Sequence, residues 1–267
     1  MRIYINGKIF DIDEPKIHTI KNKYFPDADI TVYNGFQTNE NVTLADGDSI
    51  HFIKKGVMPD ESELEFLMSA RHTPLVHNKF KAARVAIAGL GGLGSNIAVM
   101  LARTGIGKLF LVDFDTVEPS NLNRQNYYIS HLGMKKTDAM AALIKEINPF
   151  IEIETKCIRV DESNAHIIFR DWPIVCEAFD GAENKAMLIN TLMKKLPDTK
   201  IVAASGMAGY YSSNKIRTER PMPNLYICGD QTAEAKAGNG LMAPRVSICA
   251  GHQSNMVLRL ILGIEEP

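Results

Sequence analysis

The sequence predicts an α/β protein in which a doubly wound, mainly parallel sheet follows a smaller domain at the N-terminus. From about residue 71 onward, short apolar runs of strand length alternate with segments of helical periodicity. This alternation is typical of parallel sheets whose strands are joined by crossover helices. Residues 1–57 show a different pattern, with four short strands grouped around one helix candidate. We therefore expect a small domain over residues 1–57, a connecting segment over 58–78 and a larger domain over 79–267.

The N-terminal segment begins with two short strands on either side of Asn6-Gly7, a dipeptide that favours tight hairpin turns. A helix is expected over residues 16–24, followed by strands over 30–33 and 49–54. The order strand, strand, helix, strand, strand fits a ubiquitin-like β-grasp domain. In the stretch 59–69, a proline followed by acidic residues predicts the start of a connecting helix.

Composition excludes several classes of function. The 267 residues are 45% hydrophobic and 23% charged, with a formal net charge of −1, so nothing favours nucleic acid as a main partner. No apolar run is long enough to cross a bilayer, and the first residues lack the apolar core of a signal peptide. We therefore expect a cytoplasmic protein with no membrane partner. The four cysteines are widely scattered and form no CxxC pair, which indicates neither a disulfide framework nor a cysteine zinc site.

The larger domain opens with a nucleotide-binding pattern. A buried strand over residues 85–88 runs into the turn GLGGLG, a helix follows over about 95–103, and a second strand over 109–112 ends on Asp113. Glycines let the backbone approach a ligand closely, and the N-terminus of the helix presents free N–H groups to phosphate. Asp113 follows Gly94 by 19 residues, a distance at which a carboxylate can accept hydrogen bonds from ribose hydroxyls.

Charged residues then follow successive strands of the predicted sheet. Asp115 and the stretch Ser120-Asn121-Leu122-Asn123-Arg124-Gln125 come after the second strand, and Lys136 opens a helix. Asp180 follows a further strand over residues 174–178. Because the ends of parallel strands meet at the edge where open α/β folds bind ligands, these groups are expected to converge. A nicotinamide cofactor needs no such concentration of charge, whereas a triphosphate with Mg²⁺ does.

Together the motifs GLGGLGS, LVDFD, SNLNRQ, GMKK and AFD resemble the ThiF/MoeB family of ubiquitin-activating-enzyme-like adenylyltransferases, over roughly residues 71–264. GMAGY, GLMAPR and the β-grasp domain at the front are most similar to the thiamine-biosynthesis branch of that family. The resemblance implies a Rossmann-like adenylation domain that binds ATP and Mg²⁺ and acts as a homodimer. It also implies adenylation of the C-terminal glycine of a ThiS-like sulfur carrier in thiazole synthesis.

The resemblance also assigns site residues by position. Asp180 would bind Mg²⁺ and align the carrier carboxylate, and it would share the catalytic role with Arg124, Lys136 and Arg71, the last reaching the site of the partner subunit. For Asp115, a turn cap is an equally good interpretation. The implied nucleotide-binding set is Gly89, Gly91, Gly92, Gly94, Asp113, Asp115, Ser120, Asn121, Arg124, Gln125 and Lys136.

Two departures from the family pattern carry further expectations. Only Cys228 remains near the first of the two CxxC pairs with which relatives bind zinc, so we expect no zinc. Gly56 continues into Val57-Met58-Pro59, which denies the front domain the free Gly-Gly carboxylate of a working carrier and favours a docking or dimerisation role.

Other functions stay open at this point. They are adenylation of a molybdopterin carrier or of a threonylcarbamoyl-adenosine tRNA, a non-catalytic nucleotide-binding scaffold, and an NAD-dependent dehydrogenase, which SNLNRQ disfavours.

Overall fold

The computed structural model describes residues 1–57, 64, 67 and 74–267, which form two compact units, residues 1–78 and 79–267. The expected mixed α/β fold, with a mostly parallel sheet preceded by a β-grasp domain, is confirmed. The connecting helix predicted over 59–69, most of the segment 58–78, and Arg71 lie outside the described residues. Among the residues described, no helix combines the length and the apolar character that crossing a membrane requires.

The N-terminal unit is a five-stranded sheet with one helix against it. Its strands are β1 (Arg2–Ile5), β2 (Lys8–Asp11), β3 (Ile30–Tyr33), β4 (Phe36–Gln37) and β5 (Ser49–Ile53), and helix α1 spans Ile17–Tyr24. The spatial order is β2-β1-β5-β3-β4, with β1 and β5 parallel and the remaining pairs antiparallel. Asn6 and Gly7 both take positive φ angles, 46° and 78°, as the predicted tight hairpin requires. Ile3, Ile17 and Ile50 share the apolar core.

The larger unit is a seven-stranded sheet in the order β11-β12-β10-β9-β6-β7-β8, parallel except for β11. Its strands are β6 (Arg84–Ala88), β7 (Lys108–Asp113), β8 (Glu152–Cys157), β9 (Ile174–Glu177), β10 (Lys200–Ala204), β11 (Arg217–Met222) and β12 (Leu225–Gly229). From residue 74 onward, the α-helices are α2 (Pro74–Ala82), which begins before the boundary between the units, α3 (Gly92–Thr104), α4 (Lys136–Ile147), α5 (Ala165–Phe169), α6 (Ala182–Lys195) and α7 (Ala243–Ile261).

Side chains of the central strands are buried on both faces of this sheet, as expected for a parallel sheet between helices. Helices α5 and α6 pack over Ala86, Val175 and Ile201. Helices α3 and α7 pack against each other, and α7 also contacts β10 and β12. Strand β6 pairs with β7, the next strand in the chain, on one side and with β9 on the other side, so the strand order reverses at β6. This reversal of strand order opens a crevice at the carboxyl ends of β6 and β9, the position at which doubly wound folds bind ligands.

Candidate functional site

A cavity of about 710 Å³ lies at this crevice, within the larger unit. The turn after β6 supplies Gly89, Gly91 and Gly92 to its lining, and β7 ends in it at Asp113. The loop after β9 adds residues 178–180, and the loop after β10 adds residues 205–208. The carboxyl ends of four neighbouring strands therefore open into one cavity.

The glycine turn is shaped by two very close backbone contacts. Gly89 has a φ of +93°, and a Cβ atom there would lie 2.8 Å from the carbonyl oxygen of Ala178. A Cβ atom on Gly94 would lie 1.8 Å from the carbonyl oxygen of Gly89. Gly89 thus permits close approach to the loop after β9, and Gly94 permits α3 to pack against the turn. Gly94 is not among the residues that line the cavity.

Both backbone polar groups of Leu90 are held by hydrogen bonds. Its N–H donates to Oδ2 of Asp113 at 2.6 Å, and its carbonyl oxygen accepts the hydroxyl of Tyr127 at 2.9 Å. Burial, with smaller contributions from Asp113 and Asp115, raises the pKa of the Tyr127 hydroxyl, so this group stays protonated and available as a donor. The turn is therefore preorganised by hydrogen bonds from two later segments of the chain.

Asp113, expected to bind ribose, is buried at the end of β7 and lines the cavity. Its Oδ1 accepts the N–H of Asp115 at 2.8 Å, while Oδ2 accepts that of Leu90. Each carboxylate oxygen has two acceptor positions, so one on each remains for a ligand hydroxyl. These bonds fix the orientation of the carboxylate.

The segment SNLNRQ brings Asn121, Arg124 and Gln125 to the cavity. Arg124 donates from Nη1 to the carbonyl of Ser120 at 3.1 Å, while its Nε is buried without a partner. Oε1 of Gln125 is also buried without a partner. Buried polar atoms that lack hydrogen bonds are costly, so these two atoms indicate a site built for a polar ligand. Ser120 is exposed and does not line the cavity.

Asn96 on α3 anchors this segment. Its Nδ2 donates to the carbonyl oxygen of Gly92 at 2.6 Å and to that of Arg124 at 3.2 Å. Its Oδ1 accepts the hydroxyl of Ser247 on α7 at 3.1 Å. One amide side chain therefore connects the glycine turn, the arginine segment and the last helix, which sequence reasoning did not predict.

Lys136 opens α4 with its side chain only 7% exposed, and its Nζ lies 2.9 Å from Oδ2 of Asp115. The backbone N–H of Lys136 also donates to the carbonyl of Asp115 at 3.0 Å. The second acid of LVDFD therefore acts as the ion-pair partner of the predicted phosphate-binding lysine. Both residues line the cavity, so an anionic ligand there would share the ammonium group with Asp115.

Asp180 lies in the exposed loop between β9 and α6 and lines the cavity. No described residue forms a hydrogen bond or ion pair with its carboxylate. The carboxylate is therefore available to a ligand or a cation, which is what a metal-binding or aligning role requires.

Two charged residues of the site were not predicted. Glu177, the last residue of β9, is fully buried, and its carboxylate contacts Nζ of Lys185 at 3.0 and 3.1 Å. Burial raises the pKa of Glu177, while Lys185 and the N–H of Phe179 act in the opposite direction. The sequence did contain a signal for this pair. Glu177 is an acidic residue at the end of an otherwise apolar buried strand, and a buried acid requires a charged or hydrogen-bonding partner.

The cysteines are dispersed in the structure as in the sequence. Cys157 is exposed, whereas Cys176, Cys228 and Cys249 are buried, and burial raises the pKa of Cys228 to about 12. Among the described residues, no group of three or more histidine, cysteine or acidic side chains could hold a metal ion. The absence of zinc stays a prediction.

The fold defines a Rossmann-like domain, with a cavity at its switch point, preceded in the chain by a β-grasp domain. Family models match both parts, the ThiF family over residues 67–267 and ThiS-like ubiquitin over residues 1–56. The chain belongs to the ThiF family, and the resemblance of its motifs to the ThiF/MoeB family is confirmed.

Relatives and solved structures agree with this assignment. The adenylyltransferase and sulfurtransferase UBA4 of Yarrowia lipolytica is 28% identical over 69% of this chain and 47% of its own length. The molybdopterin-synthase adenylyltransferase of Haemophilus influenzae is 37% identical over 49% of this chain and 52% of its own. The chain thus spans about half the length of these curated relatives.

The fold is also that of the E. coli tRNA N6-threonylcarbamoyladenosine dehydratase TcdA, solved in complex with ATP. The TM-score is 0.69, with 22% identity over 78% of this chain and 97% of that one.

Proposed function

We propose that this protein is an ATP-dependent adenylyltransferase that activates the C-terminal glycine carboxylate of a ThiS-like sulfur carrier. The observation that carries the proposal is the convergence, in one cavity, of the glycine turn with Arg124, Lys136 and Asp180. A scaffold has no need of such a charged cavity. Membership of the ThiF family and the adenylyltransferase names of its relatives support the same reaction class.

In the proposed reaction a carboxylate oxygen of the carrier attacks the α-phosphorus of ATP. A carboxyl–phosphate bond forms, the bond between the α-phosphorus and the bridging oxygen to the β-phosphorus breaks, and pyrophosphate leaves. No protein nucleophile takes part. Arg124, Lys136 and the N–H groups at the start of α3 would neutralise phosphate charge, so catalysis rests on positioning and on preorganised electrostatics.

The nucleotide would be held by groups that are already oriented. The carboxylate of Asp113, which is fixed by the backbone N–H groups of Leu90 and Asp115, would accept hydrogen bonds from the ribose hydroxyls. Gly91 and Gly92 would let the phosphates approach the backbone, and the partnerless Nε of Arg124 and Oε1 of Gln125 would gain a partner on ATP. Asn121, Asp115, Gly89, Gly94 and Ser120 complete the proposed nucleotide-binding set, with Gly94 and Ser120 acting from outside the cavity lining.

Asp180 is the proposed ligand of Mg²⁺. Its carboxylate faces the cavity, is exposed and has no partner among the described residues, so it fits a hard cation that prefers oxygen ligands. Bound Mg²⁺ would supply positive charge to the triphosphate. Asp180 itself would orient the incoming carboxylate relative to the nucleotide.

The test is ATP–pyrophosphate exchange with purified carriers. A ThiS-type carrier that ends in Gly-Gly should support exchange and gain the mass of AMP minus water, whereas the same carrier with one residue added after the last glycine should not. Tight NADH binding without ATP binding, or ATP binding without exchange for any carrier, would contradict the proposed activity.

We assign the carrier to the thiazole branch of thiamine biosynthesis because the N-terminal unit is itself ThiS-like. The relative from Haemophilus influenzae is named for molybdopterin synthase, so a molybdopterin-type carrier belongs in the same assay. Faster exchange with that carrier would move the assignment to molybdopterin synthesis while leaving the reaction class intact.

A homodimer in the cytoplasm is part of the proposal, with Arg71 reaching the site of the partner subunit. Sedimentation of the full chain should give a dimer. An Arg71→Ala variant should lose exchange activity, and mixing it with an Asp180→Ala variant should restore part of that activity if the two residues act across the interface.

A further inference from the structure

We infer that the buried pair formed by Glu177 and Lys185 is a positioning device that fixes the Asp180 loop against the glycine turn. The inference rests on the proposed function, in which Asp180 meets Mg²⁺ and the carrier carboxylate. Neither member of the pair has been given a role in nucleotide or carrier binding above.

The loop between β9 and α6 is short and is held at its first residues. Ala178 donates its N–H to the carbonyl of Ala88 at 2.9 Å, which continues the pairing of β9 with β6. The carbonyl oxygen of Ala178 would lie only 2.8 Å from a Cβ atom on Gly89, so the loop touches the glycine turn directly. A displacement of this loop would change the distance between Asp180 and the nucleotide site.

The Glu177 carboxylate then fixes the middle and the far end of the loop. Its Oε1 accepts the N–H of Phe179 at 2.7 Å, one residue before Asp180. Both of its oxygens contact Nζ of Lys185, which lies in the first turns of α6. The side chain thus connects the end of the strand to the start of the helix across the loop that carries Asp180.

Burial makes the arrangement specific. Glu177 is fully buried, so its carboxylate depends on protein partners, and the side chain of Lys185, which lines the cavity, is only 16% exposed. The neighbouring backbone is held as well, because Nε2 of Gln253 donates to the carbonyls of Glu177 and Val202, both at 3.0 Å. A buried pair of this kind is weak support for stability but fixes geometry, since each charge requires its partner in place.

The experiment compares Lys185→Met, Lys185→Arg and the double variant Glu177→Gln/Lys185→Met in exchange activity. We expect the double variant to fold, because no uncompensated charge remains, yet to lose about 10- to 100-fold in kcat through misplacement of Asp180. KM for ATP should change by less than about threefold in the double variant. Lys185→Arg keeps the positive charge and should retain most of the wild-type kcat. Lys194→Met, an exposed lysine at the far end of α6, is the matched control and should behave as wild type.

A double-mutant cycle with Asp180→Ala separates positioning from other roles. If the pair acts through Asp180, adding Glu177→Gln/Lys185→Met to Asp180→Ala should change the residual activity by less than about threefold. A further loss of activity on the Asp180→Ala background would mean that Lys185 contacts the substrate directly. Full activity of Glu177→Gln/Lys185→Met in the presence of Asp180 would mean that the two charges only neutralise each other and position nothing. Either result overturns the inference.

Amide hydrogen exchange tests the same inference without turnover. Peptides that cover residues 178–183 should exchange about tenfold faster in the double variant than in the wild type, whereas the interior of α6 stays protected. Unchanged exchange in this loop would overturn the positioning role. If the wild type showed no exchange of pyrophosphate with any carrier, the proposed function would fail while this measurement still decided the inference.

Discussion

Removal of the Asp180 carboxylate should separate catalysis from folding more cleanly than any other single change in the site. The residue is exposed, lies outside β9 and α6, and has no hydrogen-bond or ion-pair partner among the described residues. Asp180→Ala should therefore change the free energy of unfolding by no more than about 0.5 kcal/mol, as at other surface positions without partners. For a domain of this size, that corresponds to a shift in Tm of at most about 2 °C.

The expected loss of activity is much larger. A preorganised charged group that acts on the transition state contributes about 10²- to 10³-fold in kcat, or about 2.7–4 kcal/mol. The assay is carrier-dependent ATP–pyrophosphate exchange at saturating ATP, repeated over a range of Mg²⁺ concentrations. Asp180→Asn keeps the volume of the side chain and removes its charge, so it should lose nearly as much as Asp180→Ala.

The matched control is Glu183→Gln, which removes a nearby exposed acid that does not line the cavity. It should keep wild-type exchange activity. Full activity in Asp180→Ala would remove this carboxylate from the mechanism. A loss of activity accompanied by a fall in Tm of more than about 5 °C would show that its role is structural.

Four further outcomes are expected. Gly94→Ala should lower the free energy of unfolding, measured by denaturant titration, by about 3 kcal/mol or more, because its Cβ atom would lie 1.8 Å from a backbone oxygen. Gly91→Ala is the control and should cost far less, because no atom lies nearer than 3.9 Å to its Cβ position. Metal analysis of the purified chain should find zinc far below one per chain, and a stoichiometric amount would contradict the prediction. In the native protein a thiol reagent should modify Cys157 alone, since the other cysteines are buried; four thiols should react after unfolding. Deletion of residues 1–57 should leave exchange activity with altered carrier affinity or dimerisation, and an AMP adduct mapped to that segment would contradict the docking role.

Most of the strands and helices could be predicted because their patterns are local. The strand over residues 30–33 was predicted with the bounds it has, and β6 and β7 begin one residue before their predicted starts. The apolar run over residues 186–196 predicts a helix that begins at Ala186, whereas α6 begins at Ala182, because its first turn is polar and gives no apolar periodicity. Strands β4, β8, β11 and β12 were not predicted. β4 has only two residues, β8 and β11 are largely exposed with weak alternation, and β12 is a short, mostly buried run with no alternation.

The convergence of residues 89–113 at the cavity was predictable for the same reason. Gly89 to Asp113 is a continuous stretch in which spacing along the chain determines proximity. The ion pairs of the site were not predictable, because Lys136 meets Asp115 and Lys185 meets Glu177 only after the chain has turned back on itself. Sequence position indicates which charged residues face a site more readily than which of them neutralise each other.

Part of the cavity lining is formed by loops after β10 and β12, and a buried ion pair joins them. Arg245, at the start of α7, contacts the carboxylate of Asp230 and donates to the carbonyls of Ala208, Tyr211 and Ser212. Oδ1 of Asp230 accepts the backbone N–H groups of residues 232 and 233 at 2.9 and 2.7 Å. One arginine thus fixes both loops with fully directed hydrogen bonds.

This ion pair occupies the stretch in which the family resemblance places the first cysteine pair, because Asp230 follows Cys228 by two residues. A structural zinc ion joins distant loops through ligands that need a closed tetrahedral set. Here the guanidinium of Arg245 makes that connection with nitrogen donors and leaves Cys228 buried beside Thr218, 3.5 Å from its hydroxyl. Among the described residues, these two loops are therefore held by an ion pair and hydrogen bonds, which is the physical basis for expecting this chain to keep its fold when metal chelators are present.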